Sequence, residues 1–329
     1  MTLRRLLPAL IAVTLGLAMT SCGTPDSPKT PGTTDEEKFT IGVAVIIAHP
    51  ALEAVQAGFE DVLTEQKLNY EIIFKNAQGE NANTATIASL FAANADIDLI
   101  LAISTPIAVA MASAEQTRPI LFSAVTDPVK DGLVPSWEKA GSNITGTSDL
   151  NPESNTVKLV KEAMPDVKTI GVLFSSSESN SIAQVETYKK EAADLGITIK
   201  PQGITAASEV AVGLAALADV DAILIPTDNT VVAAIASVIQ FGQEHKIPVF
   251  CADNSTVEIG TVATRGLSYY DLGRRTGEMA VGILRDGKTI ADYPPEAPTS
   301  TELFVNVTAA GEFGLTLPEG FADKAVAKF

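Results

Sequence analysis

The residues best placed to do chemistry in this 329-residue chain are small and polar, and they stand just after short apolar runs. They are His49-Pro50, Ala77-Gln78-Gly79, Ser104-Thr105-Pro106, Thr126-Asp127-Pro128, Ser175-Ser176-Ser177, Thr227-Asp228-Asn229-Thr230 and Asp253-Asn254-Ser255. Hydroxyls and free backbone N–H groups at a helix start suit a carboxylate, and an Asp suits an ammonium. Any one of these residues is explained as well by helix capping. Drawn from both halves of the chain, the set favours a site for a small polar ligand.

Catalytic patterns are thin. The sequence has no G-x-S-x-G elbow, P-loop, H-E-x-x-H or paired C-x-x-C. Two histidines, His49 and His245, and two cysteines, Cys22 and Cys251, are poor material for a metal site. The expectation is a binding protein with no catalytic residue, metal or cofactor. His49, directly after the first apolar run, reads as a cleft-lining or capping group.

The elements that must position these residues follow from hydrophobic period. Strands are expected at 40–48, 71–76, 99–104, 120–125, 169–174, 197–201, 222–226 and 248–252. Amphipathic stretches lie between them, for example Leu52, Val55, Phe59, Val62 and Leu63, then Ile182, Val185, Tyr188, Ala192 and Leu195. A third runs through Val231, Val232, Ile235, Val238 and Ile239. Near-continuous apolar strands alternating with helices predict an α/β fold with parallel sheets covered on both faces. The pattern is stated twice: Ile41-Gly42-Val43 returns as Ile170-Gly171-Val172, and Arg118-Pro119 as Lys246-Ile247-Pro248. Two similar arrays predict two Rossmann-like lobes with a cleft, into which the strand ends open.

The segment 141–152 separates the arrays and is the first candidate crossing. Beyond the second array a strand at 261–267, a helix at 270–286 and a strand near 302–307 are expected, so the chain recrosses between lobes, and multiple crossings make a hinge. The expected lobes are 39–146 plus 270–292, and 147–269 plus 293–329.

The N-terminus reads as a processing segment. Arg4 and Arg5 precede an apolar stretch from Leu6 to Met19 that is too short for a membrane span, then Thr20-Ser21 and Cys22. Positions 1–21 are expected to be a lipoprotein signal peptide, with Cys22 as the lipidated residue. Positions 22–38, rich in Gly, Thr, Pro and acidic residues, read as a disordered tether. Cys251, inside an apolar run, is expected to be a buried, inert thiol. A formal net charge of −17 with no basic cluster argues against nucleic acid as a partner.

Several of these segments also resemble a known family. His49-Pro-Ala-Leu52, Asn76-Ala-Gln-Gly79, Ser104-Thr-Pro106, Phe122-Ser-Ala-Val-Thr-Asp-Pro128, Asn143-Ile-Thr-Gly146, Pro226-Thr-Asp-Asn229 and Tyr269-Tyr-Asp-Leu-Gly273 are similar to ABC-transporter substrate-binding proteins of the tryptophan/tyrosine-binding type. The resemblance implies a periplasmic-binding-protein type I pair of Rossmann-like lobes with a hinge of about three crossings, and an amino acid ligand, aromatic by preference, delivered to a membrane permease. It implies that Ser104, Thr105, Thr126 and Asp127 hold the ligand from the first lobe. Ser176, Asn180, Ser181, Asp228, Asn229 and Asp253 would hold it from the second, with His49 and Gln78 beside them. Asp253, then Asp127, is favoured for the ligand ammonium, and Phe174, Tyr269 or Tyr270 for an aromatic wall. A lipid-anchored monomer outside the cytoplasm is expected. The alternatives are a sensor that signals to a membrane partner, and a receptor for a smaller apolar amino acid such as a branched-chain one.

Overall fold

The computed structural model describes residues 38–151 and 155–329. The leader, Cys22 and all but the last residue of the expected tether lie outside them. Strand β1 (Phe39–Val45), helix α1 (Pro50–Glu65), β2 (Tyr70–Asn76), α2 (Asn81–Ala93), β3 (Leu99–Ile103), α3 (Thr105–Ala114), β4 (Ile120–Ser123) and β5 (Ile144–Thr147) form the first array. Its sheet is parallel throughout, in the order β2-β1-β3-β4-β5. β3 is wholly buried because helices cover both sheet faces, which is why its sequence is apolar without alternation.

The second array runs α4 (Thr156–Ala163), β6 (Thr169–Ser175), α5 (Ser179–Asp194), β7 (Thr198–Ile204), α6 (Val210–Ala215), β8 (Ala222–Ile225), α7 (Asn229–Val232), α8 (Ile235–His245) and β9 (Val249–Cys251). Its four strands are parallel in the order β7-β6-β8-β9, the same plan as the first sheet without its last strand. Short α9 (Ser255–Ile259) leads to β10 (Ala263–Gly266), long α10 (Tyr269–Leu284), β11 (Glu302–Val305), α11 (Val307–Glu312) and β12 (Ala327–Lys328). β10, β11 and β12 form a small mixed sheet, bonded to the second array where Val262 N donates to Val249 O at 2.8 Å.

Two separate hydrophobic cores result. Met279, Ala280 and Val281 of α10 pack into the first core, whereas Leu303 and Val305 of β11 pack into the second. The chain therefore passes between lobes three times: after β5, between β10 and α10, and before β11. The crossings are bonded to one another. Ser148 N donates to Glu296 O at 2.7 Å, joining the first to the third. Asn151 Nδ2 donates to Arg265 O at 3.4 Å, tying the first to the end of β10, where the second begins. Helix α10 lies against α1 at backbone contact distance: a Cβ on Gly273 would stand 1.9 Å from Val55 O, and one on Gly58 2.1 Å from Tyr270 O.

Local differences from the sequence reading have physical causes. β5 lies inside the segment read as the first crossing, because Ile144-Thr-Gly-Thr147 carries one apolar side chain and no detectable period. The run from Val231 to Ile239 is two helices, broken at Ala233-Ala234, so the first can cap its own turn through Asp228. Ile182, counted on the apolar face of α5, is exposed.

Candidate functional site

A parallel sheet ends all its strands on one side, and here the two sheets bring those ends together. From the first lobe come His49, at the start of α1, and Ala124 and Thr126, after β4. From the second come Asn180, in the first turn of α5, Thr227 to Asn229, after β8, and Asp253, after β9. Asp149 of the first crossing and Tyr269 of the second close the hinge side, and Leu52 and Val232 add apolar walls. They line a small pocket that leaves about 10 Å³ for the centre of a water-sized sphere.

The polar groups around it are buried and held in place. Asp228 accepts from Ser175 N at 2.5 Å and Val231 N at 2.8 Å, so it ties β6 to the start of α7. Asp253 accepts from Ser255 N at 2.8 Å. Tyr269 donates its hydroxyl to Asp149 at 3.3 Å, linking the second crossing to the first. Asn180 donates through Nδ2 to Thr227 O at 2.7 Å, which turns its Oδ1 away from that strand end. Across the cleft, His49 Nε2 stands 3.3 Å from Asn229 Oδ1. Asn180 Oδ1 and His49 Nδ1 are both buried and have no hydrogen-bond partner among the described residues.

Charge at the site is one-sided. Asp149, Asp228 and Asp253 all line the cavity, and no Lys or Arg does among its described lining residues. Burial pushes the Asp149 carboxyl up to about 6, against the nearby Thr126 and Tyr269 hydroxyls, and Asp253 adds to the rise. Burial and then the neighbouring Glu178 raise Asp228. Burial raises Asp253, and His49 beside it pulls the other way. Each carboxyl is short of positive charge, so a ligand that brings a cation relieves all three. Nothing in this lining pairs a nucleophile with a base.

A family model of ABC transporter substrate binding proteins matches residues 40–328. The chain belongs to this family. A curated relative, the tyrosine-binding protein of Clostridioides difficile strain R20291, is 36% identical over 313 residues, covering 92% of this chain and 90% of that protein. A Streptococcus pneumonia ABC domain solved in complex with L-Trp is 35% identical, with a TM-score of 0.84 over 89% of this chain and 100% of that one. A ligand-free, open Clostridium difficile substrate binding protein with adhesive properties is 38% identical, with a TM-score of 0.63 over 88% and 98%. The fold of this substrate-binding protein is periplasmic-binding-protein type I.

The structure of the substrate-binding protein gathers His49, Thr126, Asn180, Asp228, Asn229 and Asp253 around one cavity. Other residues expected at the site stand behind it or away from it. Ser104 is buried at the start of α3 with a φ of 90°, a conformation costly for a residue with a Cβ. Thr105, also buried, accepts from Thr126 N at 3.4 Å and so backs a lining residue. Ser181 is buried beside the Asp228 carboxyl. Asp127 is half-buried and caps its own turn by accepting from Lys130 N. Gln78 and Ser176 are exposed, and Ser176 donates its hydroxyl to Ile204 O. Of the three aromatic candidates Tyr269 lines the cavity, whereas Tyr270 is exposed and donates to Asp61. Cys251 is buried, and burial pushes its thiol up to about 12.

Two acids of the binding protein escaped sequence reasoning. Asp149 lies in a crossing, not after a strand of the apolar kind. Glu178 is buried just before α5, and its carboxylate accepts from the backbone and side chain of both Asn229 and Thr230. Its only sequence signal is an acid amid serines, which reads as solvated. A second compartment, with about 80 Å³ open to the centre of a water-sized sphere, shares Tyr269 and Asp149 and lies against α5, with the half-buried Glu191 and Arg265 in its wall.

Proposed function

We propose that this protein captures a free amino acid, an aromatic one by preference, in the cavity between its lobes and presents it to an ABC permease. The observation that carries the reading is the lining of three buried carboxyls with no basic residue among its described members. An α-ammonium supplies the missing charge and three N–H donors, which suit the unpartnered Asn180 Oδ1 and the carboxylates. Asp253, Asp149 and Asp228 receive the ammonium, Tyr269 lies against the side chain, and His49, Thr126, Asn180 and Asn229 complete the polar wall. Ser104, Thr105, Ser181 and Asp127 support these groups, and Gln78 and Ser176 stand at the rim.

The relatives agree on ligand class, since one is called a tyrosine-binding protein and another holds L-Trp. Likeness is much greater to the L-Trp complex than to the ligand-free open structure, at nearly equal identity. That contrast supports a closed arrangement here. Lobes 39–146 plus 270–292 and 147–269 plus 293–329 then part about the three crossings to admit and release ligand. The protein is a monomer without enzymatic turnover, held outside the cytoplasm by lipid on Cys22. No helix among the described residues is long and apolar enough to cross a membrane.

Calorimetry with L-tyrosine, L-tryptophan and L-leucine tests the reading. At 100 times its dissociation constant the right ligand adds about 2.7 kcal/mol to folding stability. Tyramine, which keeps the ammonium, is expected to bind, and the deaminated acid is expected to bind at least a hundredfold more weakly. Equal binding of the deaminated acid, or no binding of any amino acid, would overturn it.

A further inference from the structure

We infer that Glu178 sets the tautomer of His49 from across the cleft, so that the cavity wall offers a lone pair there and not a proton. The meaning of this inference rests on the amino acid reading above, but its test is separable from it. The chain of contacts starts at Glu178, which is 2% exposed. One carboxylate oxygen accepts from Asn229 N at 3.1 Å and from Asn229 Nδ2 at 2.5 Å. The other accepts from Thr230 N at 3.0 Å and Thr230 Oγ1 at 2.8 Å. The Asn229 amide nitrogen is therefore committed, and its Oδ1 is the atom that faces His49.

An amide oxygen can only accept, so the hydrogen lies on His49 Nε2. Asp253 stands beside this ring, and burial raises its carboxyl; with that carboxyl protonated and the ring neutral, Nδ1 carries a lone pair. That atom is buried without a partner among the described residues, on a side chain that lines the cavity. Reversing the Asn229 amide would aim its oxygen at the Glu178 carboxylate and force the other tautomer on His49. The wall would then present an N–H, which repels an ammonium and welcomes a carboxylate. Glu178 thus acts as a positioning residue for ligand polarity, one side chain behind the cavity wall. His49 belongs to the first lobe and Glu178 and Asn229 to the second, so the relay is complete only when the lobes meet.

The sequence holds two histidines, so His245→Gln leaves His49 as the sole imidazole for long-range ¹⁵N–¹H correlation spectra. The spectra are recorded without ligand and with saturating L-tyrosine. A protonated Nε2 and an unprotonated Nδ1, present with ligand, are expected. Glu178→Ala and Asn229→Leu should each average the two ring nitrogens and weaken L-tyrosine binding at least tenfold, the scale of one hydrogen bond to a charged group. Thr230→Val, which touches only the other Glu178 oxygen, should keep the tautomer. A proton on Nδ1, a doubly protonated or averaged ring in the parent protein both with and without ligand, or an unchanged ring in folded Glu178→Ala overturns the inference. If Glu178→Ala does not fold, Asn229→Leu and the parent spectrum decide it. Calorimetry on the same samples judges the amino acid reading on its own.

Discussion

Asp149 is the residue whose ionisation is most exposed to test. Its carboxyl sits at about 6 in the folded protein because it is buried, whereas an unfolded Asp titrates near 4. The folded state therefore binds the extra proton, and ionising Asp149 works against folding. The penalty is absent below about pH 4, grows as pH rises, and is complete above about pH 6, at about 3 kcal/mol. Urea unfolding of the ligand-free protein should show stability falling across that window, and Asp149→Asn should flatten the fall by that amount. A steeper fall in the variant would exclude Asp149 as its source. The same substitution, like Asp253→Asn, should weaken amino acid binding by about 2–5 kcal/mol, read by calorimetry, since each removes a buried partner of the ammonium. Position after an apolar strand was enough to bring His49, Thr126 and Asp253 to one cavity, because parallel strands share an exit side. Asp149 and Glu178 were not legible, since a crossing has no period and the partners of Glu178 lie some fifty residues ahead in the chain.

Among the elements, the α1–α10 pair makes the sharpest demand on side-chain size. Gly273→Ala places a methyl group 1.9 Å from Val55 O. Backbone cannot give way there as a flexible side chain would, and a loss of about 2–4 kcal/mol is expected, visible as a lower thermal midpoint. Gly311→Ala, at an exposed position of α11 with no atom within 4 Å of the new methyl, should instead gain about 0.5–1 kcal/mol. Similar shifts in both variants would mean that helix propensity, not contact, governs the pair. The parallel strands and long helices were readable because burial on both faces imposes apolar runs and a 3.6-residue period. β5 and the break between α7 and α8 were not, because hydrogen bonds to neighbouring elements place them. Thr147 illustrates this: its hydroxyl meets those of Ser123 and Thr276 at 2.9 Å each, a contact no local pattern announces.

At the scale of the whole molecule, a hydrogen bond outside the cavity joins the lobes away from the crossings. Ser179 Oγ donates to Asp131 at 2.6 Å, from the start of α5 to the turn after β4. Neither residue lines the cavity, and the bond forms where the two lobes meet. Asp131→Ala should therefore speed amino acid release about two- to fivefold with little change in association, measured by stopped-flow fluorescence. A change confined to association would place the contact in the open form. The packing of α10 into the first core carries a different consequence, which concerns the order of events in biosynthesis. The first lobe lacks a wall until the chain has built the second sheet and returned. An emerging polypeptide cannot finish its N-terminal half first, and the two halves must mature together. Delayed completion of this kind keeps a long stretch of chain threadable, a condition that passage through a narrow export channel requires.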